Sequence, residues 1–345
     1  MEYDIIGDVH GCHGHLVGLL TSLGYWPDNG VWKHEGRTAV FVGDLIDRGP
    51  SQWDVIQTVK DMVEAGSAEI VMGNHEFNAL AFATVKSENP RTFAREHRPG
   101  NIKQHEAFLS QLSPGQQEEA LKWFMTMPLW LDLGSFRVVH AYWGDESVSF
   151  LENWLGGDRF TKREQILQAS VPGSAEYKHV ELVLKGPEAH LPSRNYGFKS
   201  ITDKDSNVRE QVRINWWALF ESTIEHVLDP MITDKKGKYK RYRGIPVHPE
   251  DAKHRYGSPV PVFFGHHWRV GEPVYGRDFA DNAFCVDFSA VKDGQLAAYR
   301  FNPSQHSKCD PSKVTFYPPR KPEKNKCRIS IRAIMESFGS LRIRI

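Results

Sequence analysis

Three times within the first 80 residues a short β-rich run ends in a glycine and a polar residue, and a helical pattern follows. Residues 3–6 (YDII) lead into GDVHGCHGH, residues 38–42 (TAVFV) into GDLIDRGP, and residues 69–72 (EIVM) into GNHE. After the first motif Leu16, Leu19, Leu20 and Leu23 recur at helical spacing. After the second Val55, Ile56, Val59, Met62 and Val63 do so, with Gly66 as a stop, and after the third Phe77, Leu80 and Ala81 follow. A chain that repeats strand, polar turn and helix covers its strands with helices, which predicts an α/β layered fold. The pattern resumes further on. Residues 136–139 read as a strand ending at His140, 260–264 (VPVFF) as a strand ending in GHH, and 283–288 and 295–300 as two more strands. Residues 116–127 predict a helix stopped near Pro128.

From about 145 to 258 the alternation is lost, and from Pro303 the chain turns Pro- and Lys-rich. The reading is a catalytic core over 1–302, formed by 1–144 and 259–302 and interrupted by an inserted cap at 145–258, with 303–345 as a tail. A length of 345 residues with 40% hydrophobic content suffices for one large core plus a lobe. Lys+Arg and Asp+Glu both number 43, so no global basic field draws the chain to nucleic acid or anionic lipid. No apolar run approaches the roughly 18 residues that span a bilayer, and the start lacks the pattern of a signal peptide. Cys12, Cys285, Cys309 and Cys327 have no metal-site or disulfide spacing. The expectation is a cytoplasmic protein with reduced thiols and no membrane partner; the oligomeric state is not readable.

The strand ends supply the chemistry. Asp8 and His10, Asp44, Asn74 with His75 and Glu76, His140, and His266 each follow an apolar run at once. Neighbouring strands end side by side, so these residues can converge at one edge of a sheet. Each Asp or Asn alone reads as a turn residue, and His140 alone as a strand-end histidine; five such sites in order read as ligands. Carboxylate, imidazole and amide oxygen without nearby thiols suit two divalent ions, manganese first, with iron, zinc, cobalt or nickel as alternatives. Ions about 3.5–4 Å apart need a bridging carboxylate, for which Asp44 is the candidate.

GDVHG at 7–11, GDLIDRG at 43–49, GNHE at 73–76, His140 and GH at 265–266 resemble the calcineurin-like metallophosphoesterases. Within them they are similar to the branch of Ser/Thr phosphoprotein phosphatases and symmetric diadenosine tetraphosphate hydrolases. The resemblance covers roughly 4–144 and 260–300 and implies a β-sandwich flanked by helices. It implies Asp8, His10 and Asp44 as ligands of one metal, and Asp44, Asn74, His140 and His266 as ligands of the second. It further implies His75 as the general acid, Asp47 as the carboxylate that orients it, and Arg48 as the phosphate-holding arginine. The implied reaction is direct attack of metal-bound water on phosphorus.

The substrate is less constrained. Glu76, where the tetraphosphate hydrolases commonly have Asp, and the presence of Asp47 favour a phosphomonoester, including phosphoprotein. KWFMTMPLWLDL before VVHA resembles the hydrolase side, so a dinucleoside tetraphosphate is the alternative. Nucleic-acid ends, cyclic phosphodiesters and an inactive metal-binding scaffold stand behind these. Lys185 in KGPE and Arg213 before INWW are the candidate substrate contacts in the insert. Trp216 and Trp217 read as its small core, and His267 as a structural neighbour of His266 rather than a ligand.

Overall fold

The structure, a computed structural model, describes residues 1–86, 89–190, 201–202, 208–209, 211–217, 223, 244–246, 248–291, 294–305 and 308–318. Ten strands form two five-stranded sheets. In chain order they are β1 (Glu2–Ile6), β2 (Arg37–Phe41), β3 (Ala68–Ile70), β4 (Trp130–Asp132), β5 (Arg137–Val139), β6 (Val262–Phe264), β7 (Phe279–Ala280), β8 (Ala283–Cys285), β9 (Leu296–Phe301) and β10 (Val314–Tyr317). The first sheet runs β10-β9-β1-β2-β3 and the second β7-β8-β6-β5-β4.

Each sheet holds a parallel triplet. β1, β2 and β3 are parallel, as are β5, β6 and β8; the remaining pairings are antiparallel. Three strand ends of each sheet therefore lie along one edge. Alternation of side chains sorts the two faces. Ile5, Val40, Ala297, Tyr299 and Phe301 of the first sheet meet Val138, Phe263 and Phe284 of the second in one buried cluster. Aromatic rings span the gap: Phe263 lies 4.8 Å from Tyr299, and Phe284 also lies 4.8 Å from Tyr299. Truncating Phe263 to Ala would empty the centre of this layer at a cost of about 3–5 kcal/mol.

The opposite faces are covered by helices. Ile6, Ala39 and Phe41 pack in a second cluster with the apolar stripes of α1 (His13–Leu23) and α2 (Gln52–Glu64). α3 (Asn74–Ala83), α4 (Pro99–Gln104), α5 (Glu106–Gln111) and α6 (Pro114–Phe124) follow. α7 (Asp145–Leu155), α8 (Arg163–Ala169) and α9 (Ala175–Lys185) open the segment read as an insert, and they are built into this same core. Leu129 donates to Asp158, Ala141 to Val183, and Phe77 stacks on Phe160 at 5.5 Å. Three helices in succession remove the strand alternation without leaving the core. Trp216 and Trp217 are also core, buried against Phe264.

The segment read as a tail differs. Val314–Tyr317 pairs with β9 as the edge strand of the first sheet, so the sheet runs past residue 302. A four-residue run between prolines gains its strand identity from the partner it pairs with, which local sequence does not reveal. Residues 319–345, with Cys327, lie outside the described residues. Cys12, Cys285 and Cys309 are free thiols. Among the described residues no helix is long and apolar enough to cross a membrane.

Candidate metal centre

Six parallel strand ends meet at one edge. β1, β2 and β3 deliver Asp8 and His10, Asp44, and Asn74; β5 and β6 deliver His140 and His266. The backbone there is unusual: His10, Asp44, Asp47, Arg48 and His266 all have positive φ, between 46° and 70°. Such conformations cost about 1–3 kcal/mol each in non-glycine residues and collect where a surrounding structure enforces them. Glu76, buried in the first turn of α3, is one enforcer. Its Oε2 accepts from the backbone N–H of Asp44 (2.9 Å) and Gly73 (3.0 Å), and its Oε1 from Leu45 (2.8 Å) and Ile46 (3.4 Å). Glu76 therefore binds the 43–46 turn to α3, a reason for its presence that is independent of substrate.

Asp44 lies at the middle. Two groups of ligand-type side chains form around it, His10 with His75 and His140 with His266, all donor atoms of each group lying within 4.8 Å of one another. His10 Nε2 is 3.6 Å from Asp44 Oδ2, and His140 Nε2 is 3.4 Å from Oδ1. Asn74 Oδ1 lies 3.0 Å from His140 Nε2 and 2.7 Å from His266 Nδ1. Asp8 is outside both groups; its carboxylate accepts from the His266 N–H at 3.1 Å.

These donors fit a cation. His10 Nδ1 lies 2.8 Å from the Ile46 carbonyl and His140 Nδ1 2.7 Å from that of Val42. A carbonyl only accepts, so each Nδ1 carries the proton, and in the neutral ring each Nε2 turns a lone pair toward the oxygens of Asp44. At His10 that lone pair meets the Arg48 guanidinium at 2.8 Å, and at His140 Asp44 favours a proton in its place; a cation bound among these oxygens would take over either role. The ionisation pattern agrees. Burial, then Arg48 and His75, pulls His10 down to about 3, and burial, then Arg213, holds His266 well below the usual imidazole range; both are neutral donors. Burial opposes a charge on Asp44, but His140, His75 and His10 outweigh it and hold its carboxyl well below the usual range. Burial also opposes a charge on His140, which the adjacent Asp44 overcomes. Asp8 is pushed well up by burial and by Asp287 and Asp44, the mark of carboxylates crowded together.

Beside this centre, His75 Nδ1 is hydrogen-bonded to Asp47 Oδ2 at 2.5 Å. His105, at the junction of α4 and α5, brings its Nδ1 to 2.9 Å from the same oxygen, a close polar contact. Burial opposes a charge on Asp47, and His105 and His75 outweigh it and lower its pKa. Arg48, exposed at the mouth, reaches His10 Nε2 at 2.8 Å and His75 Nε2 at 3.3 Å.

All nine residues expected for the ligand and catalytic sets therefore lie at this edge. The two candidate substrate contacts divide. Arg213 acts on His266 through its charge, whereas the Lys185 ammonium pairs with Glu181 one turn back on α9. His267 is fully buried and packs edge-on to Trp217 at 5.1 Å. Sequence reasoning missed two residues. Asp287 follows β8 as the ligands follow the other parallel strands, is buried, and interacts with Asp8; its signal, an acid after an apolar run, was hidden inside AFCVDFS. His105 had no signal, being a lone histidine between helices.

The profile of the family described as calcineurin-like phosphoesterase matches residues 1–266. An asymmetrical bis(5'-nucleosyl)-tetraphosphatase, PrpE of Bacillus subtilis (strain 168), is 38% identical over 148 residues, which is 41% of this chain and 57% of that protein. A symmetrical bis(5'-nucleosyl)-tetraphosphatase of Salmonella paratyphi C (strain RKS4594) is 30% identical over 141 residues, 41% of this chain and 42% of the relative. The chain thus spans about half the length of these curated relatives. A solved protein serine/threonine phosphatase from Saccharomyces cerevisiae aligns over 94% of this chain and 82% of its own, with 16% identity and a TM-score of 0.47. With the family profile running from the first residue to His266, the chain belongs to the calcineurin-like phosphoesterases.

Proposed function

We propose that this chain hydrolyses phosphoric esters or anhydrides at a pair of divalent cations, manganese being the first to test. The observation that carries the reading is the sharing of Asp44 between two groups of ligand-type side chains. Asp8, His10 and Asp44 would hold one cation, and Asp44, Asn74, His140 and His266 the other. When bound, the pair supplies a Lewis acid for the phosphoryl oxygens and lowers the pKa of water. Arg48, at the mouth, offers a planar fork for two phosphoryl oxygens. His75, oriented by Asp47, gives its Nε2 proton to the departing oxygen.

Two observations bear on the substrate. The relatives that match over 148 and 141 residues of this chain are named as bis(5'-nucleosyl)-tetraphosphatases, which supports a dinucleoside tetraphosphate. The short His75–Asp47 contact supports protonation of a poor leaving group, such as the alkoxide of a phosphoserine. Glu76 no longer weighs on either side, because its carboxylate serves the backbone. We favour the dinucleotide and keep the phosphomonoester as the second reading. Arg213 is retained as a substrate contact; the pairing of Lys185 with Glu181 counts against it.

The test is turnover by the manganese-loaded protein on diadenosine tetraphosphate, mononucleotides, a phosphoserine peptide, p-nitrophenyl phosphate and a bis-aryl phosphodiester. Highest kcat/KM on the dinucleotide is expected. Metal binding without turnover on any of them would sink the proposal in favour of an inactive metal-binding scaffold.

A further inference from the structure

In an in-line displacement the leaving group departs on the side of the acid that protonates it. The space on the His75 side is a cavity of about 470 Å³, lined by His75 and Arg48 on one wall and by Lys103, Glu106 and Ser110 of α4 and α5 on the other. That volume is in the range of sites for small organic ligands. The opposing wall is anchored rather than loose: the same junction that presents Lys103 outward buries His105 against Asp47 and Phe82. Arg95 clamps the neighbouring Gln104 through a hydrogen bond of 2.7 Å.

The lining is chemically selective. Lys103 accepts from the His105 N–H through its backbone carbonyl, but its ammonium has no hydrogen-bond or ion-pair partner among the described residues and is available to a ligand. Arg48 and Lys103 are the two cations of the lining, one on each wall. Glu106 adds a carboxylate and Ser110, whose hydroxyl donates to the Glu106 backbone carbonyl at 2.6 Å, adds an accepting oxygen; such acceptors would pair poorly with a bare polyanion and well with sugar hydroxyls. Among the described residues the lining holds no Phe, Tyr or Trp, so it offers no large aromatic face to a base.

We propose that this cavity receives the departing nucleotide of a dinucleoside polyphosphate. Lys103 binds a phosphate of the leaving nucleoside di- or triphosphate, Glu106 and Ser110 face its ribose, and the base is left unread. This assignment rests on the phosphoesterase reading above and narrows it, because a phosphoserine peptide has no second phosphate to offer Lys103. It also moves leaving-group recognition from the segment after His140, where Lys185 and Arg213 lie, to the helices that follow α3.

The experiment uses the manganese-loaded full chain and its Lys103→Ala and Glu106→Gln variants, with diadenosine tetraphosphate, diguanosine tetraphosphate, p-nitrophenyl phosphate and a phosphoserine peptide as substrates. In the unaltered chain the adenine and guanine substrates should have KM values within about threefold of each other. Lys103→Ala should raise KM for both by about tenfold more than it raises KM for p-nitrophenyl phosphate, the loss of one charge-assisted contact. Glu106→Gln should act in the same direction by a smaller factor. ADP and ATP are also measured as inhibitors of p-nitrophenyl phosphate turnover, which reports the cavity separately from cleavage of the dinucleotide. Their inhibition should weaken about tenfold in Lys103→Ala. Equal effects on all substrates, no effect on any, or nucleotide inhibition untouched by the substitution would overturn the subsite. A chain that turns over p-nitrophenyl phosphate but binds neither dinucleotide nor ADP would overturn it while leaving the phosphoesterase reading intact. Preference for the phosphopeptide, with Lys103→Ala altering that substrate alone, would overturn it in favour of a peptide groove.

Discussion

Asp44 and Glu76 occupy one turn and do different work, and substitution separates them. His75 N–H donates to Asp44 Oδ1 at 2.9 Å, a bond that an asparagine oxygen can also accept. Asp44→Asn therefore keeps the fold but removes the one negative charge shared by both ligand groups. Its expected outcome is loss of metal from the purified protein, read by elemental analysis, with turnover abolished and the metal-free form still folded but at a Tm lowered by the loss of the Asp44–His140 contact. Retention of two ions at a near-normal rate would refute the bridging assignment. Glu76→Gln acts on the fold instead. Each Glu76 oxygen accepts two backbone N–H groups, so an amide NH2 at either place sets donors against donors in a buried site. The expected cost is about 2 kcal/mol or more, measured by denaturant unfolding in the presence of chelator.

At the scale of strands and helices, the contact that matters most is the one between the end of β6 and the Asp8 carboxylate. A Cβ built on Gly265 would land on Asp8. The backbone there cannot retreat, because Gly265 N–H is bonded to His140 O and Val286 N–H to Phe264 O, both at 2.8 Å. Gly265→Ala should push Asp8 out of place and weaken metal binding by about 10–100-fold, the range found when a group that orients a metal ligand is removed. Gly14→Ala on α1, where an added Cβ meets nothing within 4 Å, is the control and should leave metal affinity unchanged. The same scale shows what the sequence made legible. The ends of β1, β2, β3, β5 and β6 were readable because each joins an apolar run to a polar motif within one or two residues. Asp287 was not, since the apolar run continues to Phe288 while pairing stops at Cys285. β10 was not, because VTFY between prolines has no period of its own, nor were α7 to α9, three successive helices that break the strand alternation. Lys103 and His105 illustrate the limit: a surface lysine and a core histidine look alike on either side of a junction whose place beside His75 only the tertiary fold determines.

For the molecule as a whole, the charge pattern at the sheet edge sets how stability and metal binding depend on pH. Asp8 and Asp287, with burial as the main cause, have folded-state pKa values above the ordinary carboxylate value of about 4. His140 is raised above the imidazole value of about 6.5 despite burial, through Asp44. In the metal-free protein these groups bind protons more tightly folded than unfolded. Their contribution to stability is fully present below the unfolded values and is lost as pH rises through the folded ones. Asp44 and Asp47 are lowered, so theirs is present above about pH 4 and lost only as pH falls further. Glu76, pushed up to about 7 by burial and Asp44, acts in the same sense as Asp8, Asp287 and His140, whereas His10 and His266, lowered first by burial, act in the opposite sense until pH passes the unfolded imidazole value of about 6.5. The metal-free chain should accordingly lose stability as pH rises above about 6.5, where only the raised groups still titrate. Divalent cations compete with the protons on Asp8 and His140, so their affinity should increase over the same range, and their stabilisation grows with the ratio of free metal to Kd. His10 and His266, already neutral, add no competition. Thermal melts with chelator and with manganese, from about pH 6.5 to 8, should therefore diverge: Tm falls with pH in chelator, and the gap to the metal-loaded form widens. A gap independent of pH would mean that the buried carboxylates and His140 are not where the cations bind, and would remove Asp8 and His140 from the ligand set together.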